Sequence, residues 1–167
     1  MKFTKLFGPL PLIFLAVLFF QSHAVAAEDA NLATGQTLYL PVYSYIWHGD
    51  RVVSKRYPLK TPVSVLVSIR NTNLKTPVRL FSARYFDTSG KLLKQFVATP
   101  VTIEPLCTHE LFIEKQETQG GSGANLILQW DAAVPVNPPI VEAIHAEIKG
   151  HSTFTFVTRA QPVNGEK

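Results

Sequence analysis

Strict alternation is the feature that most restricts what this chain can fold into. Between residues 62 and 71, Val63, Val65, Val67 and Ile69 alternate with Ser64, Ser68 and Arg70. Successive side chains of an extended backbone point to opposite faces, so this segment has one apolar and one polar face. Leu66 alone is apolar among the outward positions. The texture recurs from Gln36, where Leu38, Leu40 and Val42 alternate with Thr37 and Tyr39. Pro41 lacks an N–H, which places that strand at a sheet edge. Tyr43, Tyr45, Ile46 and Trp47 carry the run to the turn signal Gly49-Asp50.

Later segments follow the same plan. Residues 78–86 and 91–97 flank Asp87-Thr-Ser-Gly90, a turn whose glycine takes positive φ cheaply, and together they predict a hairpin. Strands are expected at Glu110–Glu114, Asn125–Trp130 and Thr153–Thr158. Ile140, Ile144 and Ile148 have helical i, i+4 spacing, yet Val141, Ala143 and His145 suit a strand, as do the strands on either side. A strand is expected here, turning at Gly150-His151. Asn71-Thr-Asn73 ends the valine-rich strand. Short strands at regular spacing predict an all-β domain, a β-sandwich of about seven to nine strands.

The first segment reads as an address. Lys2 and Lys5 precede an apolar stretch from Leu6 to Phe20, and Ala24-Val25-Ala26 has the small-x-small form of a cleavage site. A signal peptide is expected over 1–26, a loose arm over 27–35, the sandwich over 36–160 and a tail over 161–167. An uncleaved anchor is the competing reading, but the apolar stretch is short for a span and Pro9 and Pro11 interrupt it. No cysteine follows it to take a lipid, and no later segment is apolar enough to span a bilayer. The expected address is the periplasm or the medium.

Charge narrows the partners. The chain carries a formal +4, of which Lys2 and Lys5 leave with the leader. The remainder is small and scattered, so nucleic acid is not expected as a partner. With 46% hydrophobic and 17% charged residues the chain is globular. Cys107 is the sole cysteine, so no internal disulfide can form. It reads as a buried small hydrophobe, or alternatively as a free thiol or intermolecular bridge.

The order of strands is similar to immunoglobulin-like and fibronectin-like modules over residues 60–115, through Arg70-Asn71-Thr72, Tyr85 with Asp87 and Gly90, and Glu104-Pro105. Three phrases resemble a family of exported bacterial proteins, domain of unknown function 3124. They are Val42-Tyr-Ser-Tyr-Ile46 with His48-Gly49; Ser68-Ile-Arg-Asn-Thr72 with Arg84-Tyr85 and Asp87-Thr-Ser-Gly90; and Gly120-Gly-Ser-Gly-Ala-Asn125 with Trp130. The resemblance implies an exported domain and supplies no catalytic residue.

Candidate chemistry centres on that third phrase. Gly120, Gly121 and Gly123 free the backbone, so successive N–H groups could converge on an anion, with Ser122 and Asn125 adding polar contacts. No Lys-Ser/Thr pair follows, so a P-loop is excluded. The bland alternative is a tight connection between strands. Tyr43, Tyr45 and Trp47, with Tyr39 and Tyr57, form an aromatic cluster suited to protein or carbohydrate contact, or to covering the core and an edge. His48 joins the candidate ligand set. His145 and His151 are placed to meet across a turn, but no H-x-x-x-H pair signals a metal, and Met1 is the sole methionine. Cys107 with His109, and Glu110 with Glu114, share strand faces without a third group. The expected role is a non-enzymatic binding or interaction module without cofactor or metal, for an envelope protein or small ligand. The alternatives are an envelope enzyme sited at 119–125 with a histidine, and a dimerising structural subunit.

Overall fold

The computed structural model describes residues 31–50 and 58–164. The expected leader and Tyr57 lie outside the described residues. Within them the chain is all strand and loop. The first strands are β1 (Ala33–Pro41), β2 (Tyr45–His48), β3 (Leu59–Pro62) and β4 (Ser64–Arg70). The middle of the chain forms β5 (Val78–Phe86), β6 (Leu92–Val97), β7 (Val101–Ile103) and β8 (Thr108–Ile113). Then come β9 (Asn125–Val136), β10 (Ile140–Lys149), β11 (Ser152–Arg159) and β12 (Gln161–Val163).

Two antiparallel sheets form the sandwich. One has the order β12-β1-β9-β5-β6, with β7 also pairing β5; the other runs β11-β10-β4-β8. A small third sheet joins β2 to β3. The alternation of β4 is realised as read: Val65, Val67 and Ile69 are buried, facing Leu38, Leu40, Leu126 and Leu128 across the core. Burial of that many branched side chains is the main stabilising term, at about 25 cal/mol per Å² of apolar surface removed from water. Trp130 and Tyr85 are the largest buried side chains.

The expected hairpins are present. β5 pairs β6 across the Asp87–Gly90 turn, with Gly90 at φ 81° and Asp87 Oδ1 accepting from the Ser89 and Lys91 amides. Residues 140–149 are strand, pairing β11 on one side and β4 on the other. Asn71 ends β4 as expected and stitches the loops: its Nδ2 donates to the carbonyls of Thr76 and Ile103.

Other details differ from the reading. Strands outnumber the expectation because β2, β3, β7 and β12 are too short to show a period. β1 starts at Ala33, within the expected arm, and β12 forms in the expected tail because both find partners. β1 is not an edge. β12 covers it at Thr37–Tyr39, while Pro41 lies past the end of that cover, where its missing N–H costs nothing. Cys107 is exposed rather than buried. The turn before β8 is closed by the Cys107 amide donating to the Glu104 carbonyl, with Leu106 at φ 62°. That conformation is the third position of a type II turn, and it sets Cys107 in solvent.

Candidate functional site

The three phrases singled out in the sequence converge in space. Ser44 sits just after β1, Tyr85 on β5, Thr88 in the β5–β6 turn, and the glycine segment just before β9. Backbone bonds sew them together. The Val42 amide donates to the Ala124 carbonyl, Ser44 to Gly121, and Thr88 to Gly120. Thr88 Oγ1 also donates to the Gly120 carbonyl and accepts from the Gly123 amide.

A carboxylate missed in the sequence reading ties this joint. Glu117 Oε1 accepts from the Gln119 amide at 2.7 Å and the Gly120 amide at 3.3 Å. Its Oε2 accepts the Tyr85 hydroxyl at 2.6 Å. Ser44 Oγ lies 3.0 Å from that oxygen and 2.8 Å from the Tyr85 hydroxyl, so it donates to either. Burial first, and the bond to Glu117 second, push the Tyr85 phenol above its ordinary range. It stays protonated and acts as a donor.

The glycines answer to sterics here. A Cβ on Gly120 would lie 1.8 Å from the Tyr85 hydroxyl and 2.5 Å from Ser44 Oγ. Gly121 has φ 83°, and a Cβ there would lie 2.4 Å from Thr88 Oγ1. The amides of Gly120 and Gly123 are committed to Glu117 and Thr88, so these two do not point at a ligand. No hydrogen bond among the described residues joins Ser122 or Asn125 to a histidine.

The aromatic candidates divide into two groups. Tyr43 packs edge-on to His145 and Phe156, both at 5.6 Å between centroids. His145 is fully buried, stacked on Phe156 at 4.3 Å, and its Nε2 accepts the Tyr43 amide at 3.1 Å. Burial lowers its pKa to about 4, against the opposing pull of the Phe156 and Ala143 carbonyls. His145 pairs in register with Phe156, whereas His151 stands in the turn past Lys149 and Ser152, so the two histidines do not meet.

Tyr45, Trp47 and His48 lie on the small β2–β3 sheet. Tyr45 and Trp47 make a T-shaped contact, Lys60 Nζ stands 3.9 Å above the Tyr45 ring, and His48 bonds Thr61. A hollow of ≈ 280 Å³ beside them reaches Glu147, which is buried with Lys115 and Lys149 against its carboxylate. Those bonds hold Glu147 below the usual carboxylate range. No three His, Cys, Asp or Glu side chains gather as a metal site among the described residues.

A larger hollow than the one beside Glu147 is a cleft of ≈ 560 Å³ on the side of the sandwich where β6 and β8, the last strands of their sheets, face each other. Leu93 and Phe96 of β6 and Phe112 and Ile113 of β8 give apolar walls, and Tyr85 and Glu117 close its floor. Lys94 stands over Phe96 at 4.3 Å, and Glu114 and Gln119 complete the lining. One signal for it was legible: Phe112 alternates with Glu110 and Glu114, an aromatic on a polar face.

Comparison with known proteins adds family but no activity. No curated protein matches the chain. The crystal structure of Thermotoga maritima 1070 is similar at 14% identity and a TM-score of 0.43, covering 78% of this chain and 97% of its own. Residues 35–163, from β1 to the end of β12, match the family described as "Protein of unknown function (DUF3124)", and the chain belongs to that family.

Proposed function

We propose that this protein is an exported, non-enzymatic interaction module that holds an extended apolar segment of an envelope protein in the cleft between β6 and β8. The cleft carries the reading. Its volume falls within the range of binding pockets. Both strands that frame it end their sheets, so backbone N–H and C=O groups on their outer sides are open to a third strand. Leu93, Phe96 and Phe112 would take alternate apolar side chains, while Lys94 and Glu114 at the rim fix direction. The leader supports the address.

The test places a photo-crosslinking residue at Leu93, inside the cleft, and separately at Leu74, exposed elsewhere. Both are expressed in cells and irradiated, and the envelope fraction is analysed. A discrete adduct from position 93, lost with Phe96→Asp, is expected. Equal labelling from both positions, or an adduct indifferent to Phe96→Asp, overturns the reading. Mature protein starting near Ala27 in the envelope fraction checks export.

A further inference from the structure

The outer face of the four-stranded sheet departs from the polar outside that alternation normally produces. Register sets Val157, Ile144, Leu66 and Phe112 in one row across β11, β10, β4 and β8. Phe112, Val157 and Ile144 are 54%, 52% and 37% exposed, and Ile140 and Ile148 extend the same face along β10. On the other sheet the equivalent row is mixed: Val163, Thr37, Gln129 and Ser82 lie side by side, with Phe81 exposed at the bulge beside Ser82, and Arg79 pairs with Asp131. Contiguous apolar surface of this kind marks an interface.

The next row outward carries a charge pattern. It reads Arg159, Glu142, Ser68, Glu110 from β11 to β8. Glu142 is held by Arg159 and Arg70, while Glu110 stands exposed at the far edge. The row is therefore positive at one end and negative at the other.

We propose that two copies of the chain pack face to face through this sheet, about a two-fold axis parallel to its strands. That axis lays β11 over the partner's β8 and β10 over the partner's β4, keeping each row on its own counterpart. Val157 meets the partner's Phe112, and Ile144 meets the partner's Leu66. Arg159 falls opposite the partner's Glu110, twice by symmetry. A two-fold axis across the strands would set the charged row over Thr155, Ala146 and Ser64 and leave its ends unmatched. The face measures about 20 Å across and about 25 Å along the strands. That is about 500 Å² per partner, the size of a weak or transient interface, so the dimer is looked for in the micromolar range.

Sedimentation equilibrium on the mature protein, from about 5 µM to about 500 µM, brackets that affinity. The wild type should move from monomer to dimer over this range. Arg159→Glu and Glu110→Arg, both at exposed positions, should each weaken dimerisation at least tenfold while keeping the wild-type circular dichroism spectrum. Mixing the two variants restores both charge contacts, so the mixture should dimerise as the wild type does. A wild type monomeric at every concentration overturns the proposal and leaves the face to a different molecule. A dimer insensitive to either reversal, or variants that mixing does not rescue, places the contact elsewhere and overturns it equally.

Discussion

Between neutral pH and about pH 4.5, acid should destabilise this protein chiefly through one residue. His145 is fully buried, stacked on Phe156, with Nε2 accepting the Tyr43 amide. That bond assigns the neutral tautomer carrying its proton on Nδ1. Protonating Nε2 would put a charge in the core and orphan the Tyr43 amide. Burial accordingly takes the folded pKa to about 4, against about 6.5 for the unfolded chain. Between those values the unfolded state binds the extra proton, so stability is full above about pH 6.5 and falls as pH drops towards 4. From pH 7.5 to pH 4.5 the loss from this one group is about 2–3 kcal/mol. That is a large share of the roughly 5–15 kcal/mol typical of a domain.

Glu142 and Glu147 are held below the carboxylate range by their Arg and Lys partners. Their stabilisation is present above about pH 4.5 and declines below it, so they leave the upper window to histidine. The assay is urea unfolding at intervals of about one pH unit, on wild type and His145→Gln. Glutamine retains an acceptor for the Tyr43 amide and does not titrate. The variant is less stable at pH 7.5, because stacking is lost, but its pH dependence over the window is flatter by about 2–3 kcal/mol. If both proteins lose stability in parallel, or the imidazole resonances of His145 titrate near 6.5 in the native state, the reasoning is wrong.

Two further outcomes follow from the joint and the turn. Gly120→Ala drives a methyl into the Tyr85 hydroxyl and should cost about 3 kcal/mol; adding Tyr85→Phe removes the clashing oxygen, so thermal melts of the double variant should show less than the sum of the single losses. Cys107 should react with a maleimide in the native protein at the rate of a free thiol, and Cys107→Ser should shift stability by less than about 0.5 kcal/mol, since the side chain is exposed. Protection of the thiol until the protein unfolds would contradict its placement.

The architecture was legible wherever side chains alternate over six or more residues. β4 and β5 follow from period, β6 from the Asp87–Gly90 turn that precedes it, and β10 from its neighbours, which outweigh its isoleucine spacing. Short strands carry too few residues for a period, and β7 and β12 exist because an already ordered neighbour offers its backbone. Cys107 was misplaced because composition says what a thiol prefers, whereas the turn at Leu106 decides where it points. His145 was read as a partner for His151 across the turn; its parity with Val141 and Ala143 on β10 puts it in the core instead, and that signal was available. Glu117 had no local pattern to announce it. Its partners Ser44 and Tyr85 lie 73 and 32 residues away in the chain, a distance that only the tertiary fold closes.

The glycine-rich phrase shows how a distinctive sequence can answer to packing. Three glycines in four residues look like freedom to grip a ligand, but Gly120 and Gly121 are what lets Ser44, Tyr85 and Thr88 come within bonding distance of one backbone. The joint then fixes how the β5–β6 hairpin sits against the segment that leads from β8 to β9, and Tyr85 and Glu117 emerge from it as the floor of the cleft. The bonds of Glu117 and Thr88 to this backbone are internal to the fold, whereas the side chains that break the polar alternation face outward. Phe112 is the clearest of these. It stands at the rim where the cleft and the outer sheet face meet, between two glutamates, and its exposure serves no bond within the described structure.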